Sequence, residues 1–254
     1  MTELDLRRPA CFAGPVTADG AEGDGAVEHG AEANEAEANG AEASGTEETC
    51  RAVGPVVCAA LGLEARAVRR GLTGMPVVVV GYRARRADRL PGDRAALVVV
   101  GFGGALDERL RPGDVLVADE IRAADPGARP VPCGAPRLLA EELIKDGLSV
   151  QVGPLVTTDR VVRGRERAIW AAQGARVADM ESAVVAAHAG GRPVAAVRVV
   201  VDGPGRPLLH PGTIGRGLAA RRVLARTGPA LERWGALLVR GEGDQAADAG
   251  ARTT

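Results

Sequence analysis

Aromatic side chains are nearly missing: two Trp, one Tyr and two Phe, 2% of 254 residues. That scarcity excludes a stacking platform for single-stranded nucleic acid. Cysteine is sparse, at 11, 50, 58 and 133, with no CxxC pair and no zinc-ligand spacing. A disulfide scaffold is therefore excluded, and reduced thiols in a cytoplasmic protein are expected. His29, His188 and His210 lie far apart without a second ligand at metal spacing, so no metal site is expected. No apolar run approaches the ~18 residues of a spanning helix. The start, MTELDLRRPA, has early acids and no apolar signal core, so secretion is not expected.

Charge is unevenly placed. Residues 17–49 hold ten acids and no Lys or Arg, in an Ala-Glu and Gly repeat without aromatics. Such a segment buries too little surface to offset chain entropy, so residues 1–50 read as a disordered acidic arm. The tail 241–254 (GEGDQAADAGARTT) reads the same way. Residues 50–240 carry 29 bases against 18 acids, a surplus of 11, and every base but Lys145 is Arg. A basic core fits nucleic acid or an anionic membrane surface. It equally fits a genome-wide preference for Arg with solvated bases. The scattering of the arginines favours the second reading, so no nucleic-acid partner is expected, and membrane-surface contact is expected to be weak at most.

The ordered part, 51–240, alternates strand and helix. Strands are predicted at 54–60, 76–81, 96–101, 114–119, 150–156, 175–178 and 193–202. Helices are predicted at 63–71, 83–90, 135–145, 163–173, 180–189 and 214–238, the last broken or kinked at Pro229. Several strands are unbroken Val runs, which signals burial on both faces. The expected fold is α/β, a three-layer α/β/α arrangement around a central mixed sheet. Ligands of such sheets sit at the carboxyl ends of strands.

Four places meet that condition. Glu64 enters a helix just after the first strand, as a chemical group or as a dipole-stabilising acid. Gly101, Gly103 and Gly104 follow a Val run in VVVGFGGALDERLRPGD, as a cradle for an anion or sugar or simply as a tight turn. A dinucleotide fingerprint fits poorly, since Leu106 stands where the third glycine belongs and Pro112 follows soon after. Glu181, in ADMES, is placed to chelate two vicinal hydroxyls or to cap a helix. Arg198 sits inside an apolar strand that Asp202 ends, and a buried arginine needs a partner. A partly desolvated Asp at that point suits general acid work, or starts the turn before Gly203.

The chain resembles the purine and uridine phosphorylase superfamily over roughly 56–238, most closely its methylthioadenosine/S-adenosylhomocysteine nucleosidase branch. The carriers are the strand–Glu64 opening, the GFGGALDERLRPGD stretch, DMES at 179–182 and VRVVVD at 197–202, in family order. LGLEARAVRRGL and TTDRVV are similar to hopanoid-associated members, which are thought to release adenine from adenosylhopane. The resemblance implies a cofactor-free enzyme that cleaves the N-glycosidic bond of an adenine nucleoside. It implies Asp202 as the acid that protonates the purine and Glu64 as the base that activates water. It gives Glu181 to the ribose hydroxyls, Met180 to the sugar face, Arg198 to the surroundings of sugar and nucleophile, and Val161 and Val162 to the purine edge. Gly101, Phe102 and Gly103 would line the nucleophile region. A homo-oligomer is implied as well.

Departures from the pattern keep alternatives open. Phe102 and Val201 stand where relatives often carry Ser, and Ala105 replaces a Gly. The pocket becomes more apolar, which suits a lipid-linked nucleoside and weakens a phosphate site, so water and phosphate both remain candidate co-substrates. A methylthioadenosine/S-adenosylhomocysteine nucleosidase, a purine nucleoside phosphorylase and a non-catalytic nucleoside-binding relative are the alternatives.

Overall fold

Valine runs build the centre of the molecule. The computed structural model describes residues 54–205 and 213–251. Strand β1 (Val56–Ala59) leads to helix α1 (Gly62–Arg69), then β2 (Val77–Val79), β3 (Leu97–Ala105), β4 (Val115–Ala123) and the two-residue β5 (Val131–Pro132). There follow α2 (Pro136–Lys145), β6 (Val150–Thr157), α3 (Arg165–Ala172), β7 (Val177–Asp179), α4 (Ser182–Ala187), β8 (Val194–Asp202), α5 (Thr213–Arg226) and α6 (Gly228–Ala251).

The eight strands form one mixed sheet. β1 runs parallel to β2 and β3, β3 parallel to β8, β4 parallel to β6, and β6 parallel to β7. The β4–β8 and β3–β7 pairings are antiparallel. The order β3–β8–β4–β6–β7 thus returns to β3, closing a five-strand circuit with β1, β2 and β5 outside it. Successive residues of the Val runs enter opposite cores. Val57, Val98 and Val100 pack with Val68, Leu139, Leu224 and Trp234 of the helices on one face. Val56, Cys58, Leu97 and Val99 join Val185 and Ala186 of α4 on the other. The expected α/β class with a central mixed sheet holds.

Four expectations need correction. β3 continues through Gly101, Gly103 and Gly104 to Ala105, so the glycines lie in a strand and form no turn. Residues 83–90 form two short 3-10 turns, Tyr82–Ala84 and Ala87–Arg89, because Arg83 and Ala84 adopt left-handed φ values of 55° and 50° that interrupt a helix. The 214–238 helix breaks at Thr227, and Pro229 falls in the first turn of α6, where its missing N–H costs nothing. α6 then runs past Gly241 to Ala251, consistent with the helix propensity of its alanines, where a disordered tail was expected. The predicted acidic arm, His29 and His210 lie outside the described residues.

The α5–α6 break is set against α1 by two glycines. A Cβ on Gly71 would fall 2.0 Å from the Ala225 carbonyl oxygen, and one on Gly228 would fall 2.2 Å from the Gly71 carbonyl carbon. Both obstacles are backbone, so the helices would have to separate. Gly71→Ala and Gly228→Ala are each expected to cost about 1–3 kcal/mol, as overpacked sites do. Gly217→Ala, in α5 with nothing within 4 Å, is expected to stabilise by up to ~1 kcal/mol. Chemical denaturation of the three variants checks both signs.

Candidate active site

The site forms where β1, β3, β6, β7 and β8 deliver their carboxyl ends. β1 stops at Ala59 and the chain turns into α1, whose N-cap is Leu61. Leucine has no side-chain acceptor, so Glu64 reaches back and takes the Leu61 N–H at 2.8 Å. Its other carboxylate oxygen takes the Phe102 N–H, also at 2.8 Å. Glu64 therefore caps its helix and ties that helix to β3. Burial raises its pKa above the ordinary value, although Arg198 and the two N–H donors pull the other way.

The ADMES stretch divides its labour between two acids. Asp179 is fully buried and accepts the Thr157 hydroxyl at 2.6 Å and the Ser182 N–H at 3.1 Å. It does the work of a capping acid. Glu181 makes no capping bond; it accepts the Arg83 N–H at 3.2 Å. Burial pushes its pKa up as well, against the pull of Arg198. Of the two readings of Glu181 from sequence, capping is excluded.

Arg198 lies 0% exposed in β8. Its Nη2 pairs with Asp179, donates to Ser182 Oγ at 2.9 Å and stands 3.9 Å from Glu181. Burial lowers its pKa, but Asp179, Glu181 and Glu64 outweigh that, and the net shift is upward. Gly101 makes this packing feasible: a Cβ there would lie 2.5 Å from Arg198 Nη1 and 2.6 Å from Glu64 Oε1. At 103, a Cβ would meet Val177 Cγ1 at 2.5 Å. The glycines are needed for close approach of side chains, not for φ.

β8 shifts register against β3 between Gly103 and Gly104, which brings Asp202 opposite Gly104. There its carboxylate meets Arg167 of α3, which pairs with Asp202 Oδ2 and also donates to the Ala105 carbonyl. Arg167 was not among the sequence-predicted residues. It lies 35 positions from its partner, and a single Arg in a helix gives no local signal of burial.

All these ends open on one cavity of about 260 Å³, near the lower end of small-molecule pockets at ~300–1,000 Å³. Its acids are Glu64, Asp179, Glu181 and Asp202. Phe102, Val161, Val162, Met180 and Val201 supply apolar walls, with Gly103 between them. Asp202 and Glu181 thus share a cavity. Gly101 and Arg198 do not line it; they lie beneath Glu64. Thr158 and Arg160, from the TTDRVV stretch, also line it, as does Tyr82, which carried no signal in the sequence. His188 is exposed at the end of α4, with Nδ1 2.8 Å from the Val184 carbonyl oxygen. Among the described residues no group of His, Cys, Asp and Glu is arranged to hold a metal ion. Cys58 and Cys133 are free, and burial pushes each thiol up to about 12. Among the described residues no helix is long and apolar enough to cross a membrane.

Four acids thus face one cavity with apolar walls, and the fold that places them is shared with solved structures. No curated protein sequence matches the chain. Among solved structures, the 5'-methylthioadenosine/S-adenosylhomocysteine nucleosidase of Campylobacter jejuni is similar with TM-score 0.61 and 15% identity, over 71% of this chain and 99% of that one. The S-adenosylhomocysteine nucleosidase of Streptococcus pyogenes gives 0.56 and 21%, over 70% and 96%. The futalosine hydrolase of Helicobacter pylori gives 0.56 and 16%, over 74% and 97%. The phosphorylase superfamily model matches residues 16–227, and the chain belongs to that superfamily.

Proposed function

We propose that this protein cleaves the N-glycosidic bond of an adenine nucleoside by hydrolysis, and that the nucleoside carries an apolar 5' substituent, as in adenosylhopane. The carrying observation is that Asp202, Glu181 and Glu64 line one cavity. In the proposed reaction Asp202 gives its proton to the purine as the C1'–N bond breaks and the bond pair leaves with the base. Glu181 holds the ribose 2'- and 3'-hydroxyls through its two oxygens. Glu64 takes a proton from the water that adds to C1'. Met180 packs against the sugar, and Val161 and Val162 flank the purine.

Water is preferred to phosphate on electrostatic grounds. Four carboxylates line the cavity, and its two lining arginines are already paired, Arg160 with Asp159 and Glu166, Arg167 with Asp202. A phosphate anion would enter against like charge without an uncommitted guanidinium. The apolar substituent is supported by the walls, Phe102 and Val201, and by the mouth, where Leu61, Tyr82 and Val161 are 39%, 50% and 39% exposed. Large hydrophobics left in water beside a cavity mark a surface awaiting an apolar group.

An adenine-release assay with adenosine, methylthioadenosine and an adenosyl lipid tests the reading, with and without phosphate. Fastest release from the lipid, leaving the lipid-linked ribose with a free anomeric hydroxyl and independent of phosphate, is expected; nucleoside binding without release would make the protein a non-catalytic relative. Asp202→Asn is expected to lose about 10²–10⁴-fold in turnover while still binding nucleoside. Glu64 works as a base only when ionised, and its pKa is raised by burial. The acidic limb of kcat/KM is therefore expected above the ordinary carboxylate value of 4.5, and a limb at or below it would exclude Glu64 as the base.

A further inference from the structure

Helix α3 buries a single residue, and that residue is an arginine. Its neighbours Ala168 and Ile169 are exposed, while Arg167 keeps only 7% of its surface. A helix ordinarily docks through an apolar stripe. Here Trp170 and Ala171 make the half-buried apolar contacts, against a cluster that includes Leu106 and Val156, and the one buried side chain is a guanidinium that enters the cavity. Nη1 donates to the Ala105 carbonyl and Nη2 to Asp202 Oδ2. The backbone opposite is cleared for it: a Cβ on Gly104 would lie 2.8 Å from Asp202 Oδ1 and 3.2 Å from Arg167 Nη1.

We propose that Arg167 is the positioning residue of the acid, fixing the Asp202 carboxyl and stabilising the carboxylate that proton transfer leaves behind. This rests on the reading of Asp202 as proton donor. The planar fork has two rigid donors, and one is anchored on a strand carbonyl, so the other defines where Asp202 Oδ2 sits. When Asp202 gives up its proton to the departing purine, negative charge grows on its carboxyl. Arg167 already stands where that charge develops, so it acts more strongly in the transition state than on the protonated acid. The ion pair seen here is the arrangement after the proton has left. A neutral side chain at 167 could fill the space but could not receive the charge.

The test is adenine release across pH 5–9 by the wild type, Arg167→Met, Arg167→Lys and Asp202→Asn. Arg167→Met is expected to lose about 100-fold in kcat, the scale of removing one preorganised donor, with KM little changed. Its alkaline limb is expected at higher pH, because the cation that favours the ionised carboxyl is gone. Arg167→Lys keeps the charge without the fork; it is expected to hold the wild-type limb and recover part of kcat. A merely structural role would lower Tm and leave the limb in place. Wild-type kcat and limb in Arg167→Met overturn the proposal, as does Arg167→Lys no better than Met. If Arg167→Met does not fold, Arg167→Lys decides alone: reduced kcat on the wild-type limb supports the proposal, and wild-type kcat overturns it. Asp202→Asn separates the two levels. Full release by that variant overturns Asp202 as donor, whereas an inert Asp202→Asn beside an unaffected Arg167→Met overturns Arg167 only.

Discussion

A guanidinium with no access to water must be surrounded by opposite charge, and Arg198 in the middle of β8 imposes that demand on everything near it. Asp179 answers it at the end of β7. Asp179 is fixed in turn by the Thr157 hydroxyl from β6 and the Ser182 N–H from α4, and the Thr157 oxygen accepts the Ala183 N–H at 2.9 Å. One buried ion pair therefore locks the ends of β6 and β7 and the middle of β8 to the start of α4. Because Asp179 satisfies the helix amide, the Glu181 carboxylate is released to face the cavity. Removing either partner would strand the other charge, which is far costlier than losing a surface pair.

Such a network needs room, and β3 provides it by giving up side chains. At 101, 103 and 104 the space of an absent Cβ is occupied by Arg198 and Glu64, by Val177, and by Asp202 and Arg167. The strand stays paired with β8 from Leu97 to Gly104, with one register shift between Gly103 and Gly104. The arginine surplus has a related explanation. Arg69 donates to the Val77 carbonyl, Arg122 to Gln173, Arg192 to Ala189, Pro91 and His188, and Arg226 to Asp146 and Gly147. A flat five-donor group reaches several carbonyls at once, which a lysine does not. These four guanidinium groups tie backbone carbonyls together, a use distinct from both the nucleic-acid and the solvated readings.

What was legible from sequence is what leaves a local mark. Unbroken Val runs mark strands buried on both faces, and an Arg inside such a run marks a buried partner; β8 and Asp179 bear this out. The strand-end acids Glu64, Glu181 and Asp202 were found because strand termini are where such sheets bind. For the glycines of β3 the sequence left a cradle and a tight turn open; the strand excludes the turn, and close approach of side chains from other elements leaves no trace in the flanking sequence. β5, two residues at an edge with Pro132, is too short for any periodicity. Arg167 was invisible because its partner is brought to it only by the register shift of β8. Tyr82 reaches the cavity through the left-handed turn at Arg83 and Ala84, which neither residue type foretells.

The balance of charge in the cavity bears on which state it favours. Glu64, Asp179, Glu181 and Asp202 outnumber the arginines at hand, Arg160 and Arg167 in the lining and Arg198 behind it, and Glu64 and Glu181 are both pushed toward their protonated forms. An excess of buried carboxylate is a cost in the empty enzyme. A neutral nucleoside relieves little of it, whereas positive charge growing on the pentose ring relieves much, so the excess acts on the transition state and hardly at all on the ground state. The same excess repels an anionic nucleophile and tolerates water. In the proposed reaction, breaking the bond adds negative charge at the base end, where Arg167 waits behind Asp202, and positive charge at the sugar end, where Glu181 and Glu64 face inward. On the proposed reaction, two arginines at different depths thus do different work: Arg198 holds the carboxylates that meet the cationic sugar, and Arg167 meets the carboxylate that the acid becomes.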